Sequence, residues 1–218
     1  MKFYIDTANI EQIREANSFG LLDGVTTNPT LVAREKKGFK ETIVEICSIV
    51  DGPVNAEVIA KDAAGMIAEG HEVASWADNV SIKIPMTPEG MKATKVLSSE
   101  GHMVNVTLVF SLAQALIACR AGATFISPFI GRVDDIAYDG MELVEECVDM
   151  IDMYGFDTEV IAASIRGMTH VLDSIRVGAH IATIPFATLM KLFSHPLTDK
   201  GIASFDSDWE KAGLGKIL

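Results

Sequence analysis

A single lysine stands at the centre of a short apolar run, Ser81-Ile82-Lys83-Ile84-Pro85. Lysine is seldom fully buried. Where it is, loss of water disfavours the ammonium form, and a neutral amine is a nucleophile towards carbonyl carbon. Taken alone, such a lysine more often snorkels to solvent or meets a carboxylate in an ion pair. The neighbouring runs argue against that ordinary explanation, because they too carry polar residues at alternate positions. Asn55 and Glu57 alternate with Val54, Ala56 and Val58, and Asn105 and Thr107 alternate with Val104, Val106 and Leu108. Ser81 shares a face with Lys83, and Ser127 with Phe129.

With a ketone, Lys83 would give a carbinolamine and then a Schiff base. The protonated imine is an electron sink, so an adjacent carbon–carbon bond can break and leave an enamine. That route needs no metal and no organic cofactor. It does need a general acid/base. Glu57 fits that role through a water held with Thr107; the competing role for Glu57 is a plain ion pair with Lys83. Asp6 is placed to accept the proton of the hydroxyl next to the breaking bond. Thr26, Asn28 and Asn105 can hold hydroxyl groups. Arg132 and Arg166, with Ser164, would clamp a terminal phosphate by charge-assisted hydrogen bonds. For either arginine alone the alternative is a surface ion pair, such as Arg132 with Asp134 or Asp135.

The elements that must position these groups alternate in type. Strand-like runs are expected at Lys2–Ala8, Gly24–Asn28, Val54–Ile59, Val80–Pro85, Met103–Val109, Thr124–Ile130, Glu159–Ser164 and His180–Pro185. Between them lie apolar residues three and four apart, such as Ile43, Ile46, Cys47 and Val50, or Leu143, Val144, Cys147 and Ile151. Gly20, Gly101, Gly122, Gly155 and Gly178 follow helical stretches, as left-handed caps do. Eight βα units in a chain of 218 residues favour a closed (β/α)8 barrel over an open sheet, with residues 1–218 forming one domain. The tail Phe205–Leu218 reads as an extra terminal helix. In such a barrel, active sites are assembled at the C-terminal ends of the strands. Polar residues concentrate there in most of these runs, where packing alone would call for Val, Ile and Leu, because unpaired buried polar groups are costly.

Composition bounds the function. The net charge is −12, which argues against binding nucleic acid or an anionic membrane and leaves anionic substrates to local arginines. Cys47, Cys119 and Cys147 lack metal-ligand spacing and read as small core residues of a reducing compartment. No apolar signal core opens the chain and no stretch reaches membrane-spanning length, so a cytoplasmic location is expected. Other motifs fail. Asn105-Val106-Thr107 matches a glycosylation site but lies in an expected buried strand; His71-Glu72 lacks a second histidine at zinc-protease spacing. There is no glycine-rich nucleotide loop and no serine elbow. The five histidines are scattered, which argues against a metal centre. Met141, Met150 and Met153 read as core filler.

Six segments together closely resemble the small-type transaldolase family, which includes the fructose-6-phosphate aldolases. They are Phe3-Tyr4-Ile5-Asp6-Thr7-Ala8, Val25-Thr26-Thr27-Asn28-Pro29-Thr30, Ser81-Ile82-Lys83-Ile84-Pro85, Asn105-Val106-Thr107, Ser127-Pro128-Phe129-Ile130-Gly131-Arg132 and Ala163-Ser164-Ile165-Arg166. The resemblance covers essentially the whole chain. It implies a (β/α)8 barrel, a lysine Schiff base and transfer of a dihydroxyacetone unit between sugar phosphates. It places Asp6, Asn28, Glu57, Lys83, Asn105, Thr107 and Ser127 on catalytic or sugar-contacting positions, and Arg132, Ser164 and Arg166 on phosphate-binding ones. The aldolase branch typically has glutamine at the position of Glu57 and tyrosine at that of Phe129, so both residues look like the transaldolase branch. The family also implies a homo-oligomer, a pentamer or paired pentamers, with the terminal helix reaching a neighbour. An aldolase releasing free dihydroxyacetone, and a catalytically silent sugar-phosphate-binding barrel, are the two alternatives.

Overall fold

The computed structural model describes residues 1–35 and 37–217. Eight parallel strands close into a barrel in chain order: β1 (Lys2–Asp6), β2 (Gly24–Thr26), β3 (Val54–Glu57), β4 (Val80–Pro85), β5 (Val104–Val109), β6 (Phe125–Pro128), β7 (Glu159–Ala162) and β8 (Ile181–Ile184). Closure runs through β1 and β8, with Lys2 opposite Ile181 and Ile5 opposite Ile184. The connecting helices are α1 (Ile10–Ser18), α2 (Pro29–Arg34), α3 (Phe39–Ile49), α4 (Ala63–Ala74), α5 (Pro88–Ser99), α6 (Leu112–Ala121), α7 (Ile130–Asp134), α8 (Gly140–Tyr154), α9 (Met168–Arg176) and α10 (Phe186–Leu192), followed by α11 (Pro196–Lys211). This is the (β/α)8 barrel with an added C-terminal helix. Among the described residues, no helix is long and apolar enough to cross a membrane.

Local chemistry sets the helix starts. Asn9, Asn28, Asp62, Thr87, Ser111 and Asp139 each accept a backbone N–H of the first turn, which satisfies donors that have no partner within the helix. Pro29, Pro88 and Pro196 occupy the first helical position, where a missing N–H costs nothing. All five expected glycine caps adopt positive φ.

The barrel interior is layered by alternation along the strands. Tyr4, Phe125, Ile161 and Ile181 form a small apolar cluster inside it, with the Tyr4 and Phe125 rings edge to face at 6.4 Å. Gly24 lies so close that an added Cβ would fall 2.6 Å from the Tyr4 ring. Two residues further along three of these strands come Asp6, Ser127 and Thr183, so the interior turns polar towards the strands' C-terminal ends. The outward faces of the strands, including Ile82, Ile84, Val104 and Val106, join the helices in one continuous core.

The strands are shorter than their apolar runs. Thr7, Ala8, Thr27, Asn28, Val58, Ile59, Phe129, Ile130, Ala163 and Ser164 all lie past strand ends. Of these, Asn28, Phe129, Ala163 and Ser164 line two cavities beside Lys83. Leu108 is a second departure: β5 changes register between Val106 and Val109, Leu108 takes φ 61°, and its side chain lines a cavity instead of meeting the helices. Met153 is exposed rather than core, since it follows the buried stripe of α8 by two residues. The terminal helix begins at Pro196, well before Phe205, and ends at Lys211. His195 caps it through Nδ1, which accepts the Leu197 N–H, a start that apolar periodicity could not reveal; Leu218 falls outside the described residues.

Candidate active site

Lys83 lies on β4 in register with Glu57 on β3 and Asn105 on β5. Its side chain is only 6 % exposed, and two acceptors hold the amine: Glu57 Oε2 at 3.0 Å and the Thr27 carbonyl at 2.9 Å. The plain ion pair with Glu57 therefore exists. It also puts a carboxylate within proton-transfer distance of the nitrogen. Thr107 Oγ1 is fully buried and has no hydrogen-bond partner in the protein. Of the buried hydroxyls without a partner among the described residues, which include Ser81 and Thr94, Thr107 is the one that lines a cavity beside Lys83.

Two adjoining cavities share Lys83, Asn28, Phe129 and Arg132 in their walls. The first, about 200 Å³, adds Asp6, Thr26, Ser127, Ser164 and Thr183. The second, about 420 Å³, adds Glu57, Thr107, Leu108 and Arg34. Lys83 thus faces both spaces, with Asp6 reached through one and Glu57 through the other.

Hydrogen bonds fix what each wall residue can offer. Thr26 donates its hydroxyl proton to Asp6 Oδ1 at 3.0 Å, so in its 2.6 Å contact with Thr183 it is Thr183 that donates. Burial pushes the Asp6 carboxyl above the usual range, while the Lys83 charge and the Thr26 hydroxyl pull it back. Ser127 donates to Asn105 Oδ1, Asn105 Nδ2 donates to Asn55 Oδ1, and Asn55 Nδ2 donates to the Val25 carbonyl. Because its proton is used below, Ser127 presents lone pairs to the cavity. Asn28 Oδ1 caps α2 by accepting the Leu31 N–H, which leaves its amide nitrogen as the group it can present.

Two residues expected at the site line neither cavity. Asn105 is fully buried and lines neither cavity; it holds Ser127 from beneath. Arg166 is exposed and forms a two-pronged pair with Asp135 at 3.1 and 2.6 Å, the kind of surface ion pair that was the alternative for either arginine. Arg132 itself borders both cavities and lies over the Phe129 ring at 5.5 Å. Ser164 adopts φ 60° on the wall of the first cavity. Its carbonyl accepts the Gly131 N–H at 3.2 Å. A Cβ at Gly131 would collide with that carbonyl and with Arg166, so the β6 and β7 loops can meet only over a glycine. His170 steadies the second loop: Nδ1 accepts the Arg166 N–H at 3.2 Å and Nε2 faces Asp134 at 3.0 Å.

Sequence reasoning missed three groups. Thr183 was available from alternation along β8, two residues after Ile181. Arg34 required knowing that α2 crosses the second cavity. The Thr27 carbonyl has no side-chain signature at all.

Comparison with known proteins identifies the chain. The family model for Transaldolase/Fructose-6-phosphate aldolase matches residues 3–214. The chain belongs to this family. It is 60 % identical over 210 residues to a protein of Methanococcus maripaludis named probable transaldolase, covering 96 % of this chain and 98 % of that one. Proteins of the same name from Kosmotoga olearia and a Thermoanaerobacter species are 59 % and 55 % identical. The first match spans the whole of both chains, and the second covers 98 % of this chain and 99 % of that one. This transaldolase-family enzyme gathers its cavity-lining polar residues towards the C-terminal ends of the barrel strands.

Proposed function

We propose that the enzyme is a transaldolase. In this reading it moves a dihydroxyacetone unit from fructose 6-phosphate or sedoheptulose 7-phosphate to erythrose 4-phosphate or glyceraldehyde 3-phosphate. That reaction belongs to the non-oxidative pentose phosphate pathway. One observation carries the reading: a buried lysine amine lies 3.0 Å from one carboxylate, Glu57, and shares a cavity wall with a second, Asp6, and with Arg132. Glu57 takes a proton from the Lys83 ammonium 3.0 Å away, and the freed amine attacks the ketone carbon of the donor and forms a carbinolamine. Glu57, through a water shared with Thr107 Oγ1, delivers the proton with which the hydroxyl leaves as water, giving the protonated imine. Asp6 takes the proton of the hydroxyl on the far carbon of the breaking bond, which becomes the aldehyde carbonyl; the bond's electrons flow to the imine nitrogen and the aldose phosphate leaves. The enamine then attacks the carbonyl carbon of the acceptor, Asp6 returns the proton to the new hydroxyl, and hydrolysis frees Lys83.

Ser127 and Asn28 hold hydroxyls of the three-carbon unit, and Arg132 with Ser164 receives the distal phosphate. Glu57 and Phe129 favour transfer over release. The phenyl ring adds no hydroxyl that could bring water to the enamine before an acceptor arrives. The reading includes a homo-oligomer, which is supported by α11: it presents Leu197, Ile202, Phe205 and Trp209 and has no buried residue. The three free cysteines agree with a reducing cytoplasmic setting.

A coupled assay with fructose 6-phosphate, run with and without erythrose 4-phosphate, tests the proposal. Acceptor-dependent turnover is expected. Equal turnover without acceptor would replace it with the aldolase reading, and no turnover in either would leave a binding barrel.

A further inference from the structure

Far from the cavities, the fold gathers residues that the sequence scatters. His71 lies in the last turn of α4, Glu100 caps the C-terminus of α5, and His102 follows it. These are on the face of the barrel where strands begin, since α5 ends there and β5 starts at Val104. Two local features bring them together. The first is helix packing: Gly70 meets Leu97 so closely that an added Cβ would fall 2.7 Å from Leu97 Cδ1, which draws His71 against the end of α5. The second is the turn after α5. Gly101 adopts φ 91°, and the His102 N–H returns to the Leu97 carbonyl at 3.1 Å. That left-handed cap fixes the directions of Glu100 and His102.

The outcome is two imidazoles converging on one carboxylate. His71 Nε2 is 2.7 Å and His102 Nε2 4.0 Å from the same oxygen, Glu100 Oε2, and the rings lie 5.9 Å apart. The three donor atoms fall within 4.8 Å of one another. A zinc ion with ligand distances of about 2.0–2.2 Å needs its donors roughly 3.3 Å apart. All three side chains are at least partly exposed, so their torsions have room to close that gap. An ordinary histidine–glutamate pair explains His71, but not the second imidazole turned towards the same oxygen from beyond hydrogen-bond range.

We propose that His71, Glu100 and His102 form a surface site for a divalent first-row transition metal such as Zn²⁺. Two imidazole nitrogens select Zn²⁺ or Ni²⁺ over Mg²⁺ and Ca²⁺, which prefer all-oxygen shells. Three protein donors leave at least one position to water. The site lies at the opposite end of the barrel from Lys83, so its role is structural: it ties the end of α4 to the turn that launches β5.

The test is metal binding by the whole protein, stripped with a chelator and titrated with ZnCl₂ in a calorimeter at neutral pH. One equivalent is expected to bind and to raise the melting temperature. His71→Ala and His102→Ala should each weaken binding at least tenfold without changing sugar-phosphate turnover in metal-free buffer. Protons compete for imidazole nitrogen, so binding should also fall at pH 5.5, and MgCl₂ should give no comparable heat. All three side chains are exposed enough for the variants to fold, which the metal-free melting curve checks. Absence of stoichiometric binding overturns the site. So does binding that both variants retain, because the ion would then sit elsewhere.

Discussion

Arg166 and Asp135 face each other as fork and carboxylate, with both guanidinium end nitrogens bonded, at 3.1 and 2.6 Å. The pair is exposed and joins the loop after β7 to the end of α7, beside the cavity that Arg132 borders. On the proposed function, a phosphate would meet Arg132, which has no ion-pair partner among the described residues, and Arg166, which is already engaged.

The two arginines should consequently differ in mutation. Arg132→Ala should raise the Michaelis constant for phosphorylated donors roughly ten- to a hundredfold, since a hydrogen bond to a charged group is worth about 1.5–3 kcal/mol. Arg166→Ala should cost less, and Asp135→Asn should lower the constant severalfold at most, because exposed ion pairs are weak. Unphosphorylated analogues should respond little to any of the three. A raised constant in Asp135→Asn would mean that Asp135 aims Arg166 at the phosphate rather than restraining it.

Lys83 should be the covalent residue. Borohydride reduction with fructose 6-phosphate should leave a three-carbon adduct on the peptide that carries Lys83. Lys83→Met should abolish the adduct and turnover together, while the methionine fills similar volume and removes a buried charge. Peptide mass spectrometry decides, and an adduct on a different lysine would redirect the mechanism.

Asp6 couples chemistry to stability. Its carboxyl is held above the usual range chiefly by burial, so the folded state binds its proton more tightly than the unfolded chain does. Its charged form thus costs stability at neutral pH, and the cost disappears as pH falls through the raised value. Asp6→Asn should melt at a higher temperature than the parent at pH 7.5, and the gap should close in acid. On the proposed mechanism the same substitution removes the base and should slow turnover by about 10²–10⁴-fold. A variant that melts lower at pH 7.5 would show that attraction to Lys83 outweighs desolvation.

Phe129 packs edge to face against Phe110, with ring centroids 5.9 Å apart, and borders both cavities. Phe129→Tyr adds a hydroxyl beside the three-carbon intermediate. The ratio of free dihydroxyacetone to sedoheptulose 7-phosphate should rise in that variant. An unchanged ratio in an active enzyme removes Phe129 from the account of branch specificity, and efficient release by the parent would make it an aldolase.

Sequence by itself determined the frame. Alternation along each run is a local property, imposed by the strand's two-residue period, and it gave Lys83, Glu57, Asp6, Thr107 and Ser127 a common interior. Cap chemistry is equally local, so the glycine and Asn, Asp, Ser or Thr positions were readable one helix at a time. What crosses between elements was not. Only the closed barrel decides that Asn105 spends its amide on Asn55 and Ser127, and that Asp135 engages Arg166 while Arg132 borders the cavities. The positive φ that swings Leu108 inward follows from a register shift against β6, which no property of β5 alone records. His71 and His102, thirty-one residues apart in number, become neighbours because Gly70 lets α4 approach Leu97. In each case the deciding contact joins side chains from separate elements, and its geometry exists only once both are packed on the same sheet.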